Sequence, residues 1–194
     1  MSKLNKIVFD LETKNIFQEV GSHDPTALDM SIVCIYESAT DTYMSFLEEE
    51  LHKLWPIIER ADMLIGYNSD HFDIPLLNKY YHGDLSKIKS LDLLKEIRES
   101  LGRRVSLDQV AEGTLGQKKS GHGLQAIQWW KQGDIESIRK YCLDDVRLTK
   151  EIYDYAIANR ILKFKEAGKV FDIPLNTKHW DQKEEVAMTF SLPF

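Results

Sequence analysis

Two carboxylates stand two residues apart in the segment Lys6-Ile7-Val8-Phe9-Asp10-Leu11-Glu12-Thr13. Ile7, Val8 and Phe9 form an apolar run rich in strand formers, as expected for a strand covered on both faces. Strand side chains alternate, so Asp10 and Glu12 point the same way. Like charges side by side at the end of a buried strand repel each other and lose hydration. Hard divalent cations take carboxylate oxygens, so one reading of the pair is half of a metal site. An isolated Asp-x-Glu reads first as a strand ending in a polar loop, so the rest of the chain has to decide.

Three further residues could join this chemistry. Tyr141 and Asp145, in Tyr141-Cys142-Leu143-Asp144-Asp145, are four apart and share one helix face. Asp73 closes the segment Gly66-Tyr67-Asn68-Ser69-Asp70-His71-Phe72-Asp73. Each piece alone is weak, since Tyr and Asp at this spacing are common on solvated helices and Asp73 reads equally as a plain helix cap.

The elements that must position these residues follow from the pattern. Residues 14–29 read as a loop with turn residues Gly21, Asp24 and Pro25. Residues 30–36 and 43–46 read as second and third strands, forming an antiparallel meander with the first. Glu48, Glu49 and Glu50 open a helix to about Arg60, their charges complementing its dipole. Residues 63–66 read as a fourth, buried strand, followed by a helix with Pro75 in its first turn. Residues 88–91 read as a fifth strand, with Asp92 capping a helix that Gly102 ends. Ser106-Leu107-Asp108-Gln109 is a capping box starting another helix. Residues 116–123 are a basic, glycine-containing loop, residues 124–132 a short helix, and residues 135–159 a long one. Ala167-Gly168-Lys169 marks a hairpin turn in the tail, residues 160–194.

Composition bounds the function. The 194 residues are 43% hydrophobic and 29% charged, enough for one domain with a sizeable core, and no repeat or linker divides residues 1–194. No apolar run is long enough to span a membrane. Residues 1–6 lead directly into the first strand, which predicts no signal peptide. The two cysteines, Cys34 and Cys142, provide neither a disulfide framework nor zinc spacing, so a reduced, cytoplasmic protein is expected. A net charge of −6 argues against a large electrostatic nucleic-acid footprint, but suits a site that is acidic because it holds metal.

Taken in order, Phe9-Asp10-Leu11-Glu12-Thr13, Asn68-x-x-x-Phe72-Asp73 and Tyr141-x-x-x-Asp145 resemble the three motifs of the DEDD superfamily of 3′–5′ exonucleases, in their tyrosine-bearing (DEDDy) form. The second motif, and residues 106–119 between the second and third, resemble the proofreading exonuclease domain of family B DNA polymerases. The histidine variant of the superfamily would place histidine at position 140, which is Lys140. The resemblance covers roughly residues 6–158. It implies an α/β, ribonuclease H-like fold: a mixed five-stranded central sheet, antiparallel over its first three strands and parallel thereafter, flanked by helices. It makes Asp10, Glu12, Asp73 and Asp145 the carboxylates for two Mg²⁺ or Mn²⁺ ions, with Tyr141 placed to position the attacking water. The implied substrate is the 3′ end of single-stranded DNA or RNA, released as nucleoside 5′-monophosphates. The sequence offers no polymerase domain, so any proofreading would act in trans, and it identifies no polymerase or helicase partner.

The chemistry stands without the family. Two cations roughly 3.5–4 Å apart can activate a water and stabilise the leaving oxygen in phosphodiester hydrolysis. A tyrosine, with an unperturbed pKa of about 10, is a poor base at neutral pH and better suited to orienting that water. Substrate contacts are more open. Lys118, Lys119 and His122 either meet phosphates or are simply solvated. Leu11 and Thr13 flank the metal strand and by resemblance touch the terminal nucleotide, although Leu11 also reads as core. Asn68 bonds the substrate or braces its own turn. Phe72, at least one of Trp129 and Trp130, and Cys142 read as packing, and Asp144 lies off the Tyr141–Asp145 face. Two other functions remain open: a structure-selective endonuclease of ribonuclease H-like fold, and a catalytically inactive nucleic-acid-binding module.

Overall fold

A computed structural model of the protein describes residues 4–118 and 123–182. The N-terminal strand β1 (Lys6–Thr13) lies at the centre of a five-stranded sheet with β2 (Met30–Glu37), β3 (Thr42–Leu47), β4 (Met63–Gly66) and β5 (Ser90–Asp92), in the order β3-β2-β1-β4-β5. β1 to β3 pair antiparallel, while β4 and β5 continue the sheet parallel to β1. This is the mixed sheet that the resemblance implies.

The helices are α1 (Phe17–Val20), α2 (Leu51–Ile58), α3 (Asp73–Asn78), α4 (Leu93–Leu101), α5 (Leu107–Leu115), α6 (Gly123–Gln132) and α7 (Ile135–Asn159). Period-two alternation along β1 divides the core between the two sheet faces. Ile7, Phe9 and Leu11 pack with Leu54 and Ile58 of α2 and with Leu76 and Leu77 of α3. Val8 packs instead with Cys34, Ile138, Tyr141, Cys142 and Val146, placing α7 over the other face. Asp10 and Glu12 belong to this second set by parity, so the same alternation that buries Val8 turns both carboxylates toward α7.

Several boundaries differ from the pattern reading. β1 carries both carboxylates, as read, and its pairing with β2 runs to Thr13, with a register shift between Glu12 and Thr13. The predicted loop 14–29 holds the one-turn helix α1 and a 3₁₀ turn at Pro25–Ala27, capped by the Asp24 carboxylate. Segments this short carry no helical periodicity. Glu48–Glu50 form a 3₁₀ turn ahead of α2, not its first α-helical turn. β5 begins two residues later than read and ends in Asp92, whose side chain caps α4 as expected.

The tail forms the predicted hairpin, β6 (Ile161–Glu166) against β7 (Lys169–Pro174), turning through Ala167 and Gly168 at positive φ. It docks on α5 at very short range. A Cβ added to Gly113 would lie 2.5 Å from the Phe164 backbone. The Thr114 hydroxyl donates to the Lys163 carbonyl at 2.7 Å and accepts from the Lys163 N–H at 2.9 Å. Beyond the hairpin, Trp180 is fully buried, stacks on Tyr153 of α7, and donates its indole N–H to Glu96 of α4.

Candidate active site

Asp10, Glu12 and Asp145 converge. Each offers one carboxylate oxygen, and the three lie within 4.8 Å of one another. Two come from β1 and the third from α7, separated by more than 130 residues of chain. Glu12 and Asp145 are buried, and Asp10 is partly exposed. The helix is held in place nearby: the Cys142 thiol donates to the Asp10 carbonyl at 3.4 Å. Cys142 precedes Asp145 by three residues and shares its side of the helix, so this contact also sets Asp145 over β1. Burial pushes the Cys142 thiol well above its ordinary pKa, which makes it packing and not a nucleophile.

Asp73 stands beside this group at the start of α3. β4 pairs with β1 only as far as Val8, leaving the β1 edge beyond it open. Asp73 fills that edge: its Oδ1 accepts the Leu11 N–H at 3.2 Å, between the two strand carboxylates. At 4% exposure the carboxyl is nearly dry. Burial pushes its pKa up to about 7, against the Leu11 hydrogen bond, and the charges of Asp92 and Asp145 add to the rise. This dependence on Asp145 places Asp73 in the electrostatic reach of the cluster.

The loop that delivers Asp73 is braced by Asp92. Its Oδ1 accepts the Asn68 N–H at 2.8 Å and the Leu94 N–H at 2.9 Å, and its Oδ2 accepts the Asp70 N–H at 3.2 Å. The sequence reveals only the helix cap at Asp92; the bonds to residues 68 and 70 depend on β4 and β5 lying side by side. Asn68 adopts a left-handed backbone at φ 67°, a conformation Asn tolerates better than most residues. Its side chain accepts from Arg104 at 2.8 Å. The Asn68 side chain thus reaches across to Arg104, a partner that no sequence signal identified.

Tyr141 lies one turn before Asp145 on α7, 2% exposed, with its ring edge-on to Trp129 at 6.0 Å. Leu11 is 4% exposed and packs in the core. Thr13 is also buried, its hydroxyl donating to the Asn15 carbonyl. Phe72 packs edge-on against Phe17. Asp144 is tied to Arg147 at 2.7 Å, away from the cluster. Lys118 is exposed and lies 3.6 Å from Glu112, while Lys119 and His122 fall outside the described residues. Trp130 sits under the Lys14 ammonium at 5.0 Å, so α6 closes on the chain just after β1.

The donor set fits a divalent cation. Three convergent carboxylates provide hard oxygen ligands of the kind that Mg²⁺, Mn²⁺ and Ca²⁺ take, and no thiol or imidazole is among them to favour a softer metal. No helix among the described residues is long and apolar enough to cross a membrane.

Comparison with known proteins agrees with this geometry. A family model described as the RNase H superfamily matches residues 7–157. DNA polymerase 2 of Aeropyrum pernix is 25% identical over 211 residues, an alignment covering 89% of this chain and 25% of the polymerase. The chain thus spans about a quarter of the length of that curated relative. The structure of the family B DNA polymerase from Pyrobaculum calidifontis aligns with a TM-score of 0.62 at 20% identity, over 80% of this chain and 25% of that one. At that identity the likeness is one of fold.

Proposed function

The chain belongs to the RNase H superfamily, and from that premise we propose that it is a metal-dependent 3′–5′ exonuclease acting on single-stranded nucleic acid, with DNA favoured over RNA. The observation that carries the reading is the meeting of Asp10, Glu12 and Asp145 within 4.8 Å, from two elements far apart in sequence. The order of the three motifs and the likeness to DNA polymerase 2 of Aeropyrum pernix and to the fold of a family B DNA polymerase support it.

In this reading Asp10, Glu12 and Asp145 hold the divalent cations, and Asp73 contributes from the open edge of β1. Two bound cations would supply water activation and stabilisation of the leaving 3′-oxygen. The Tyr141 hydroxyl, one turn from Asp145, orients the attacking water by hydrogen bonding. Fixed on α7 by its buried ring, it costs little reorganisation when the substrate arrives. The product would be a nucleoside 5′-monophosphate, and the strand would feed in from its free 3′ end.

Digestion of 5′-labelled single-stranded DNA and RNA with Mg²⁺ or Mn²⁺ tests the proposal, with chelator as control. A ladder shortening stepwise from the 3′ end, abolished by chelator and by capping that end, is the expected result. Rapid internal cutting of the capped strand, or of a circle, would replace it with an endonuclease; binding without any cutting would leave a nucleic-acid-binding module.

A further inference from the structure

Against the loop that leads into Asp73, a cavity of about 360 Å³ is lined by Asn68, Asp70, Asp92, Lys95, Arg98 and Arg104. Its charges are unevenly satisfied. The Asp92 carboxylate is taken up by backbone N–H groups. Lys95 faces Asp70 at 3.6 Å, and Asp70 also accepts the Ser90 hydroxyl at 2.6 Å. The Arg98 and Arg104 guanidiniums pair with no carboxylate among the described residues. Arg104 donates one N–H to the neutral Asn68 amide at 2.8 Å, which fixes its position without pairing it to a carboxylate. Both arginines are exposed.

The chain as a whole carries a net charge of −6. A carboxylate-rich centre repels a polyanion, so a strand must be held by cations placed away from the cleaved bond. Guanidinium forks match phosphate oxygens in two-bond geometry, and a cavity between two of them suits an anion better than a lone surface lysine does. Asp92 ties the cavity to the centre: the same side chain that lines it braces residues 68 and 70 ahead of Asp73. We propose that this cavity is a subsite for backbone phosphates of the bound strand, upstream of the bond being cut, gripped by Arg98 and Arg104. The proposal rests on the nuclease reading and adds where the strand runs: from the carboxylates across the 67–72 loop toward α4.

The test compares the Arg98→Gln/Arg104→Gln double variant with its parent, both carrying Asp145→Asn so that the strand survives. Fluorescence anisotropy with a labelled twelve-nucleotide thymidine strand and with a labelled dinucleotide, in Mg²⁺ and over a salt series, gives affinity and its salt dependence. The double variant should bind the long strand about tenfold more weakly or worse, with the salt slope reduced by about 0.7 for each phosphate no longer held. The dinucleotide, too short to reach the cavity, should be affected much less. Melting temperatures of the two proteins should differ little, since both side chains are exposed and the side-chain bond lost is that of Arg104 to Asn68. Equal affinities and slopes for the long strand, or a parent that does not bind it, would overturn the subsite. Arginine-dependent binding by an intact enzyme that cuts nothing would instead overturn the exonuclease reading and leave the subsite standing.

Discussion

The Asp73 carboxylate accepts the Leu11 N–H at 3.2 Å, so the expected ligand from the second motif is fastened to the backbone between the two ligands of the first. The bond uses a donor that β4 leaves open when it parts from β1 after Val8. It also holds a buried carboxylate close to Asp145, at a cost in ionisation that the hydrogen bond only partly offsets.

A pH dependence follows for the metal-free protein. Asp73 has a folded pKa of about 7 against an ordinary value of 3.8, so between those values the folded state binds more protons than the unfolded one. Stability from this group is therefore present below the lower value and lost as pH rises through the window. Asp73→Asn keeps the shape and the acceptor for Leu11 but cannot ionise. In chelator, melting temperatures of the wild type relative to Asp73→Asn should fall between about pH 4 and pH 7, by about 1.4 kcal/mol of stability at most for each pH unit crossed. A relative rise over that range would mean that Asp73 is stabilised as an anion.

The same crowding predicts the behaviour of Asp145→Asn. It removes a proposed ligand at nearly constant volume, so hydrolysis should be lost by more than about a hundredfold. Divalent cations should raise the melting temperature of the wild type in a concentration-dependent way, and that of the variant less. In chelator the variant should be as stable as the wild type or more so, because one of several neighbouring charges is gone. Calorimetry over a Mn²⁺ titration reads all three stability effects. A clearly less stable metal-free variant would make Asp145 a structural partner first.

Tyr141→Phe separates chemistry from packing. The ring is 2% exposed and set against Trp129, contacts that phenylalanine retains. If the hydroxyl orients the water, kcat should fall by about tenfold to a hundredfold, with the Mn²⁺ response of the melting temperature unchanged. Unchanged kcat would leave Tyr141 as a core residue.

What the sequence made legible was what repeats along the chain or sits close in it. The alternation in β1, the cap at Asp92, the capping box at Ser106 and the span of α7 were all readable, because each is written within a few residues. The membership of Asp10, Glu12 and Asp145 in one site was readable only as an ordered set of motifs; no local rule brings position 145 to position 10. What stayed hidden were bonds set by tertiary placement. Asp73 meets Leu11 across 62 residues, and Arg104 meets Asn68 across 36.

Asp92 gives the sharpest test of such hidden bonds. It is 6% exposed, burial raises its pKa, and its oxygens accept backbone N–H groups from both sides: Asn68 and Asp70 from the loop, Leu94 from the first turn of α4. Asp92→Ala would leave these donors without their acceptor. A lost cap costs about 0.5–2 kcal/mol, and the part-buried Asn68 and Asp70 donors add less than the ~1–3 kcal/mol that a fully buried unsatisfied donor costs. Asp92→Asn keeps one carbonyl oxygen and should lie between the wild type and Asp92→Ala. If Asp92 were only a helix cap, both variants would lose stability while kcat per folded molecule stayed constant. Because it also braces the residues ahead of Asp73, kcat should fall in both, in the same order as stability. Urea titration and kcat, the latter measured well below each variant's melting temperature, separate the two cases. A destabilised Asp92→Ala with wild-type kcat would show that the loop keeps Asp73 in place without it.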